Sequence, residues 1–552
     1  MNRVTAVLLD TVSIQKYIFA GNMLRENLGA SALVRSIYGK PLQDALEQTT
    51  GMGYNIEAWK KDPDRVLIKD DPSIPAEIGY VGGGNALLFF GGPDSADRAR
   101  AFVRNWTERL LETAPGLSTA VGLKEDFDFA DIKGQMKQLH QNLAANKNKY
   151  FPVTTFVKHG ITRDCPRSGG AAETVVRTWK PDGGVETEYV SWEFKAKLEK
   201  EENDVSWDWL LPGELADRFC FTNELGELGQ VEGESHIAVI HIDGNLMSQV
   251  FESCATLEEK RRLSLAVNDT AEEAFAAALQ EIWADGGIHD LIFGENSVFR
   301  IKPDTRGRKK LPVRPIILEG DDMTFVTEAR LGLYLAEKVI ACFTTRGKEN
   351  LRARNLSGKV LSASGGVAIV KTKYPFYRAY TLAEELCANA KKRARFSPDT
   401  SWLDFYIAYG SFSGELERIR KKHYYIDGLG LLYFGPYQVG GNPDDEAHCM
   451  DNLRRGIAEF SKPDKWPRSK AKKIRELLFA GPDAVREYMA DTGISLPVVR
   501  GKYNYHTIDA AGWGPAGAPH QAASYKATPY LDMLDLTDFY PPELLGKWGD
   551  GK

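Results

Sequence analysis

Apolar residues along this chain follow two different periods, and the order in which those periods alternate occurs twice. Residues 3–10 (RVTAVLLD) are a nearly continuous apolar run ending in a carboxylate, which predicts a short buried strand. Residues 12–38 then place Ile14, Ile18, Leu24, Leu28 and Leu33 at helical spacing. The segment YVGGGNALLFFGG (80–92) predicts a glycine-tipped hairpin whose second strand covers 86–90. Helical periodicity over 94–113 and a strand over 117–123 follow. Strand, helices, hairpin, helix, strand is the order of a ferredoxin-like or palm unit.

The order then returns. HIAVIHID (236–243) predicts a strand, helical sequence runs over 247–283, and strands at 315–318 and 323–327 flank a hairpin tip at 319–322. A helix over 328–343 and a strand over 361–370 come next, and the helix YTLAEELCANAKKRAR (380–395) is expected to close the unit. The chain therefore reads as α+β with two ferredoxin-like palm domains, at 1–150 and 226–410. A linking module of strands and loops fills 151–225, and a mostly helical C-terminal domain covers 411–552. In that last part, helical patterns fall at 446–460 and 470–480, and the aromatic, Gly- and Pro-rich tail from Gly501 is expected to pack irregularly.

Composition narrows the classes without choosing among them. At 552 residues the chain exceeds what one core serves, and 43% apolar with 26% charged residues is the balance of a soluble globular protein. A net charge of −6 gives no overall pull toward nucleic acid or membrane, so a polyanion must be held by local patches. MNRVTAVLLD lacks the features of a signal peptide, and no apolar run approaches the ~18 residues that predict a membrane span. The six cysteines (Cys165, Cys220, Cys254, Cys342, Cys387, Cys449) are scattered without a C-x-x-C pair. That pattern fits reduced thiols in a cytoplasm better than disulfides or zinc, so a cytoplasmic protein with no membrane partner is expected.

The chemistry is concentrated in RPIILEGDDMTF (314–325), where two apolar runs meet at Glu319, Gly320, Asp321 and Asp322. Adjacent carboxylates repel, and a turn needs only one Asp beside its glycine. A divalent cation removes the repulsion, since Mg²⁺ or Mn²⁺ takes one or two protein carboxylates together with substrate phosphate. Asp243 ends the first strand of the same unit, a strand that lies beside the hairpin in a βαββαβ sheet, so all three carboxylates are expected to converge. Such a site would hold metal against a triphosphate and activate a 3′-hydroxyl for in-line attack. Lys391 and Lys392 on the last helix, and the basic insertion KPDTRGRKK (302–310), are candidates to balance the triphosphate. Gly320 would let the backbone approach phosphate closely.

IAVIHIDGNLMSQVF and LEGDDMTF resemble the active palm of the large polymerase/cyclase subunit of type III CRISPR effector complexes, which pairs a D-G-D-x-M-type strand end with a G-G-D-D hairpin. SIQKYIFAGNMLRENLGASALVRSIYG (13–39), followed by GGGN, is similar to the opening of that family's first palm, and DCPRSGGAAE (164–173) to a worn form of its zinc-binding module. The resemblance covers most of 1–410 and implies two facing palms with ATP between them. It implies Asp243, Asp321 and Asp322 as catalytic and metal-binding residues, with two Mg²⁺ or Mn²⁺ as cofactors. Gly320, Lys391, Gly83, Gly84, Asn85 and Ser248 become nucleotide-binding residues, with Asn85 marking the first palm as the acceptor side that does not catalyse. The implied activity is synthesis of a cyclic or linear oligoadenylate messenger from ATP, with effector-complex subunits and guide and target RNA as partners. Glu319 departs from the family pattern at the first hairpin glycine, and Asn245 stands where a second Asp is common. Many relatives begin with an HD nuclease domain. This chain starts at the palm, and its only His-Asp dipeptide, His289-Asp290, lies in an insertion, so nuclease function is not expected.

Two other classes remain open: a nucleotide-binding, RNA-sensing scaffold without turnover, or a stand-alone diguanylate or adenylate cyclase relative, possible as a homo-oligomer. KHYYIDGLGLLYFGPY (422–437) reads as core strands ahead of a base-stacking channel. KPDKWPRSKAKK (462–473) fits a nucleic-acid contact or a solvated face equally. His159, His236, His241 and His448 lack a partner at ligand spacing and read as structural.

Overall fold

The computed structural model describes residues 3–149, 160, 162–179, 184–204, 207–211, 213–231, 235–284, 287–410, 414–442, 447–499, 514–515 and 526–545. The first unit consists of β1 (Arg3–Val12), α1 (Leu24–Ile37), β2 (Ala76–Gly82), β3 (Asn85–Gly92), α2 (Ser95–Thr113), β4 (Ser118–Lys124) and α3 (Ile132–Lys147). Its antiparallel sheet has the order β2-β3-β1-β4, with the first strand central and the hairpin to one side. This is the ferredoxin-like arrangement expected from the periodicity.

A hairpin, β5 (Thr174–Trp179) with β6 (Val185–Val190), and α4 (Trp192–Asp204) connect to the second unit. That unit contains β7 (His236–Gly244), α5 (Met247–Glu252), α6 (Leu257–Trp283), β8 (Val313–Glu319), β9 (Asp322–Glu328), α7 (Ala329–Ala353), β10 (Ala363–Lys371) and α8 (Phe376–Ala394). The helix expected to close it does not. A further strand, β11 (Ser401–Ile407), runs parallel to β10, and β12 (Tyr437–Val439) extends the sheet to the order β8-β9-β7-β10-β11-β12. A parallel strand buried on both faces shows no alternation, and every residue of SWLDFYI is buried. Helices such as α9 (Met450–Phe460) lie beyond this sheet, and Met450, Leu453 and Ile457 share one core with Ile240, Phe325 and Val339.

Each hairpin carries a bulge three residues before its tip segment, at Gly79 in β2 and at Ile316 in β8. A bulge leaves a backbone carbonyl outside the ladder. The two units satisfy these carbonyls for each other. Arg261 of α6, fully buried, donates to the Gly79 and Ile78 carbonyls at 2.6 Å each and to the Arg65 carbonyl at 2.7 Å. Ser31 of α1 donates to the Ile316 carbonyl at 2.5 Å. Corresponding helices thus clasp the opposite hairpins, and the two tips are brought face to face.

Candidate active site

The tip of the second hairpin is a two-residue turn. Glu319 pairs with Asp322, and Gly320, at φ 61°, fills the first central position, as a type II′ turn requires. Asp321 therefore lies in the turn and Asp322 opens β9, so the adjacent carboxylates leave the backbone in different directions. β7 lies beside β9 with Ile242 opposite Met323, a register that sets Asp243 opposite Asp322. Asp321 meets Asp243 in hydrogen-bond contact, and burial together with the Asp243 charge holds the Asp321 carboxyl well above the usual range. Gly244 has no room for a Cβ because the Asp321 side chain lies against it.

Lys391 of α8 bonds Asp243 and donates to the Gly244 carbonyl at 2.8 Å. Burial alone would lower its ammonium, but Asp243, Cys387 and Asp321 together raise it. Asp322 turns one oxygen into the sheet, with its Oδ1 3.4 Å from His241 Nδ1 and 3.4 Å from Thr324 Oγ1. Among the described residues no three His, Cys, Asp or Glu side chains form a set able to hold a metal ion by themselves. The donor set is thus a touching pair, Asp243 and Asp321, with Asp322 alongside. This fits Mg²⁺ or Mn²⁺, which takes few protein carboxylates and keeps positions for phosphate and water.

Beside the tips lies a cavity of about 1280 Å³, larger than the ~300–1000 Å³ that encloses one ordinary ligand. Gly83, Asn85, Ser248, Gly320 and Asp321 line it, whereas Gly84, Asp243, Asp322 and Lys391 stand outside its lining. The first-palm tip is a type I′ turn with Gly83 at φ 60° and Gly84 at φ 73°. A Cβ on Gly320 would sit 3.3 Å from the Gly83 Cα. The Gly84 N–H donates to Glu319 Oε1 at 3.4 Å, and its carbonyl accepts from Tyr38 at 2.8 Å. Glu319, the residue in place of a glycine, therefore joins the two tips, and burial raises its carboxyl.

The structure places the remaining residues singled out by sequence, and it corrects the roles expected of the basic insertion and of His241. The basic insertion at 302–310 is used in folding: Arg308 pairs with Asp304 at 2.8 Å and Lys310 with Glu227 at 2.6 Å, and neither lines the cavity. Lys392 is exposed on the helix next to Lys391. Asn245 is buried, bonding Ser362 at 2.9 Å and Ser364 at 2.8 Å, so it serves the fold and not the carboxylates. His289 packs against Phe219 and Phe293. Cys165 is buried beside Val190 and Phe194, Trp466 is buried in the core, and His159 lies outside the described residues. His241, read as structural, reaches Asp322.

Residues 236–396 match the family model described as Cas10/Cmr2, second palm domain. This segment is similar to a Cas10/Cmr2 second palm. Among solved structures, a Csm1–Csm4 cassette in complex with cA4 is similar with a TM-score of 0.52 and 12% identity, covering 97% of this chain and 70% of the matched one. The same cassette in complex with pppApA gives a TM-score of 0.51 and 11% identity, covering 97% and 69%. At such identity the likeness is one of fold. None of the curated proteins matches the chain by sequence. Among the described residues, no helix is long and apolar enough to cross a membrane.

Against this Cas10-like second palm, the first palm is a worn copy in register. Asp10 pairs with Asn85 as Asp243 stands opposite Asp322, and Lys147 of α3 lies 2.5 Å from Asp10 as Lys391 lies on Asp243. Gly84 and Asn85 occupy the places of Asp321 and Asp322, so one acid of three is left. Residues not singled out by sequence include this Asp10–Lys147 pair and a basic wall on the cavity formed by Lys133, Lys137 and Lys260, beside His140, whose imidazole is held below the usual range by burial and Lys260. The spacing i, i+4, i+7 along α3 was the available signal, because it places Lys133, Lys137 and His140 on one helix face.

Proposed function

We propose that this chain is a metal-dependent nucleotidyltransferase that joins ATP into a cyclic or linear oligoadenylate, working in the cytoplasm within an RNA-guided type III effector complex. The observation that carries the reading is the contact of Asp243 with Asp321 beneath Lys391, at the rim of a large cavity. Two half-buried carboxylates pressed together repel each other unless a cation joins them. Asp243 and Asp321 are the residues to hold Mg²⁺ or Mn²⁺, with Asp322 as the third acid. The metal, when bound, supplies Lewis-acid stabilisation of charge on the reacting phosphate.

The chain's own residues do the rest. Lys391 offers a fixed positive charge to a triphosphate, and Gly320 lets the phosphate approach the turn. Gly83, Asn85 and Ser248 border the space for the acceptor nucleotide, and Gly84 completes the turn behind it. The acceptor hydroxyl oxygen bonds to the α-phosphorus, the bond from that phosphorus to the bridging oxygen breaks, and pyrophosphate leaves with the electron pair while the hydroxyl proton passes to solvent. The similar cassettes hold cA4 and pppApA, and a cavity of about 1280 Å³ has room for more than one nucleotide.

The test is incubation of the chain, with its complex partners and RNA, with ATP and Mg²⁺ or Mn²⁺, followed by mass spectrometry. Phosphodiester-linked adenylates are expected, and Asp321→Ala with Asp322→Ala should remove them while the melting curve keeps its shape. Undiminished product from that double variant would overturn the assignment.

A further inference from the structure

The first palm serves as an internal control for the second. Two residues inward from Asp10 and Asn85, the first sheet pairs Leu8 with Leu87, both buried. At the equivalent place, two residues inward from Asp243 and Asp322, the second sheet pairs His241 with Thr324. These are as buried as the leucines, at 3% and 0% exposure. An imidazole and a hydroxyl in a β-sheet interior lose hydration that leucines never had, so such a pair is disfavoured unless its polar atoms are used. The palm with one acid has the apolar pair, and the palm with three acids has the polar pair.

The geometry shows where those polar atoms go. His241 Nδ1 lies 3.1 Å from Thr324 Oγ1 and 3.4 Å from Asp322 Oδ1, and Thr324 Oγ1 donates to the same Oδ1 at 3.4 Å. The Tyr380 ring meets the imidazole edge-on at 5.5 Å and is itself stacked on Phe19 at 3.8 Å, which fixes the plane of the histidine. Asp322 Oδ2 has no hydrogen-bond partner among the described residues.

We propose that His241 and Thr324 are positioning residues that hold one oxygen of Asp322, so that the other is left for a divalent cation. This rests on the reading of Asp243, Asp321 and Asp322 as the reaction centre. Outer hydrogen bonds to metal-binding carboxylates orient them, and their loss typically costs 10–100-fold in metal affinity or activity.

The test uses the full chain, Mn²⁺ and the non-hydrolysable analogue adenosine 5′-(α,β-methylene)triphosphate, with bound Mn²⁺ read by electron paramagnetic resonance. His241→Leu with Thr324→Leu, which installs the first palm's pair, should bind Mn²⁺ about 10–100-fold more weakly while melting no earlier than the wild type. His241→Asn keeps a nitrogen near the place of Nδ1 and should restore most of the affinity. His241→Gln, whose nitrogen falls near Nε2, should not. Wild-type Mn²⁺ affinity in the double-leucine variant, or equal rescue by Asn and Gln, would overturn the inference and leave the reaction centre standing. If the double-leucine variant fails to fold, the Asn against Gln comparison decides. If the wild type itself binds no Mn²⁺ with the analogue, the reaction-centre reading falls and takes this inference with it.

Discussion

Lys391→Met separates the structural and catalytic roles of one side chain. In the free protein Lys391 bonds Asp243 and the Gly244 carbonyl, with side-chain exposures of 26% for Lys391 and 34% for Asp243. Partly solvated ion pairs contribute about 1 kcal/mol or less, so the variant should lose only a small part of its stability. A charge aimed at a reacting phosphate contributes far more, because removing one preorganised donor from such a site costs ~10²–10³ in kcat, or about 2.7–4 kcal/mol. A second consequence follows from Asp321. Lys391 is one of the groups that hold the raised Asp321 carboxyl down, so its loss raises that carboxyl further. A carboxyl must lose its proton to bind a cation, hence Mn²⁺ affinity should fall more at pH 6.5 than at pH 8.5. The assay is oligoadenylate synthesis across pH with Mn²⁺ titration and chemical denaturation on the same preparation. Turnover within a few-fold of wild type, or a Mn²⁺ defect that is the same at both pH values, would refute the reasoning.

Two further outcomes are expected. Reversing charge on the cavity wall, with Lys133→Glu and Lys137→Glu, should raise the KM for ATP about 2–5-fold per residue with kcat unchanged, since exposed charges act with a few tenths of a kcal/mol to about 1 kcal/mol each. The increase should shrink in high salt, and a kcat effect insensitive to salt would count against the wall. Asp532 is buried where it accepts hydrogen bonds from the Phe434 N–H at 2.8 Å and Tyr437 Oη at 2.6 Å, and burial pushes its carboxyl up to about 7. Because the folded value lies above the unfolded 3.8, this group's stabilisation is complete below that value and is lost as pH rises through about 7. At about 1.36 kcal/mol per unit the loss approaches ~4 kcal/mol. Asp532→Asn should flatten the denaturation profile over that interval, and an unchanged profile would show that the carboxyl ionises within the usual range.

What the sequence disclosed and what it hid have distinct physical causes. The order of strands and helices in both palms was legible because antiparallel strands and amphipathic helices leave clear periods, as at 80–92 and 94–113. The approach of Asp243 to Asp321 was legible too, since in a βαββαβ sheet the first strand must neighbour the hairpin, whereas the expected contact of all three carboxylates is not formed. β11 was hidden because burial on both faces erases alternation. The separate directions of Asp321 and Asp322 depend on turn type, which is set by one dihedral at Gly320. The role of His241 was obscured by treating it as a single histidine, when period-2 geometry already placed it on the face of Asp243 and two positions from it.

The duplication explains why the bulges matter. A hairpin tip can be held against another tip only if the strands behind it cannot slide, and each bulge at Gly79 and Ile316 breaks the register that would permit sliding. Each bulge carbonyl is then taken by the opposite palm, through Arg261 in one direction and Ser31 in the other. The tips are thereby fixed at the close approach of Gly320 to Gly83, where a Cβ on Gly320 would press on the Gly83 backbone. With that separation set by both palms, the first palm can lose two of its three acids and still be required. It supplies the opposing wall and the clasp, whereas the second alone retains the carboxylates and the buried His241–Thr324 pair behind them.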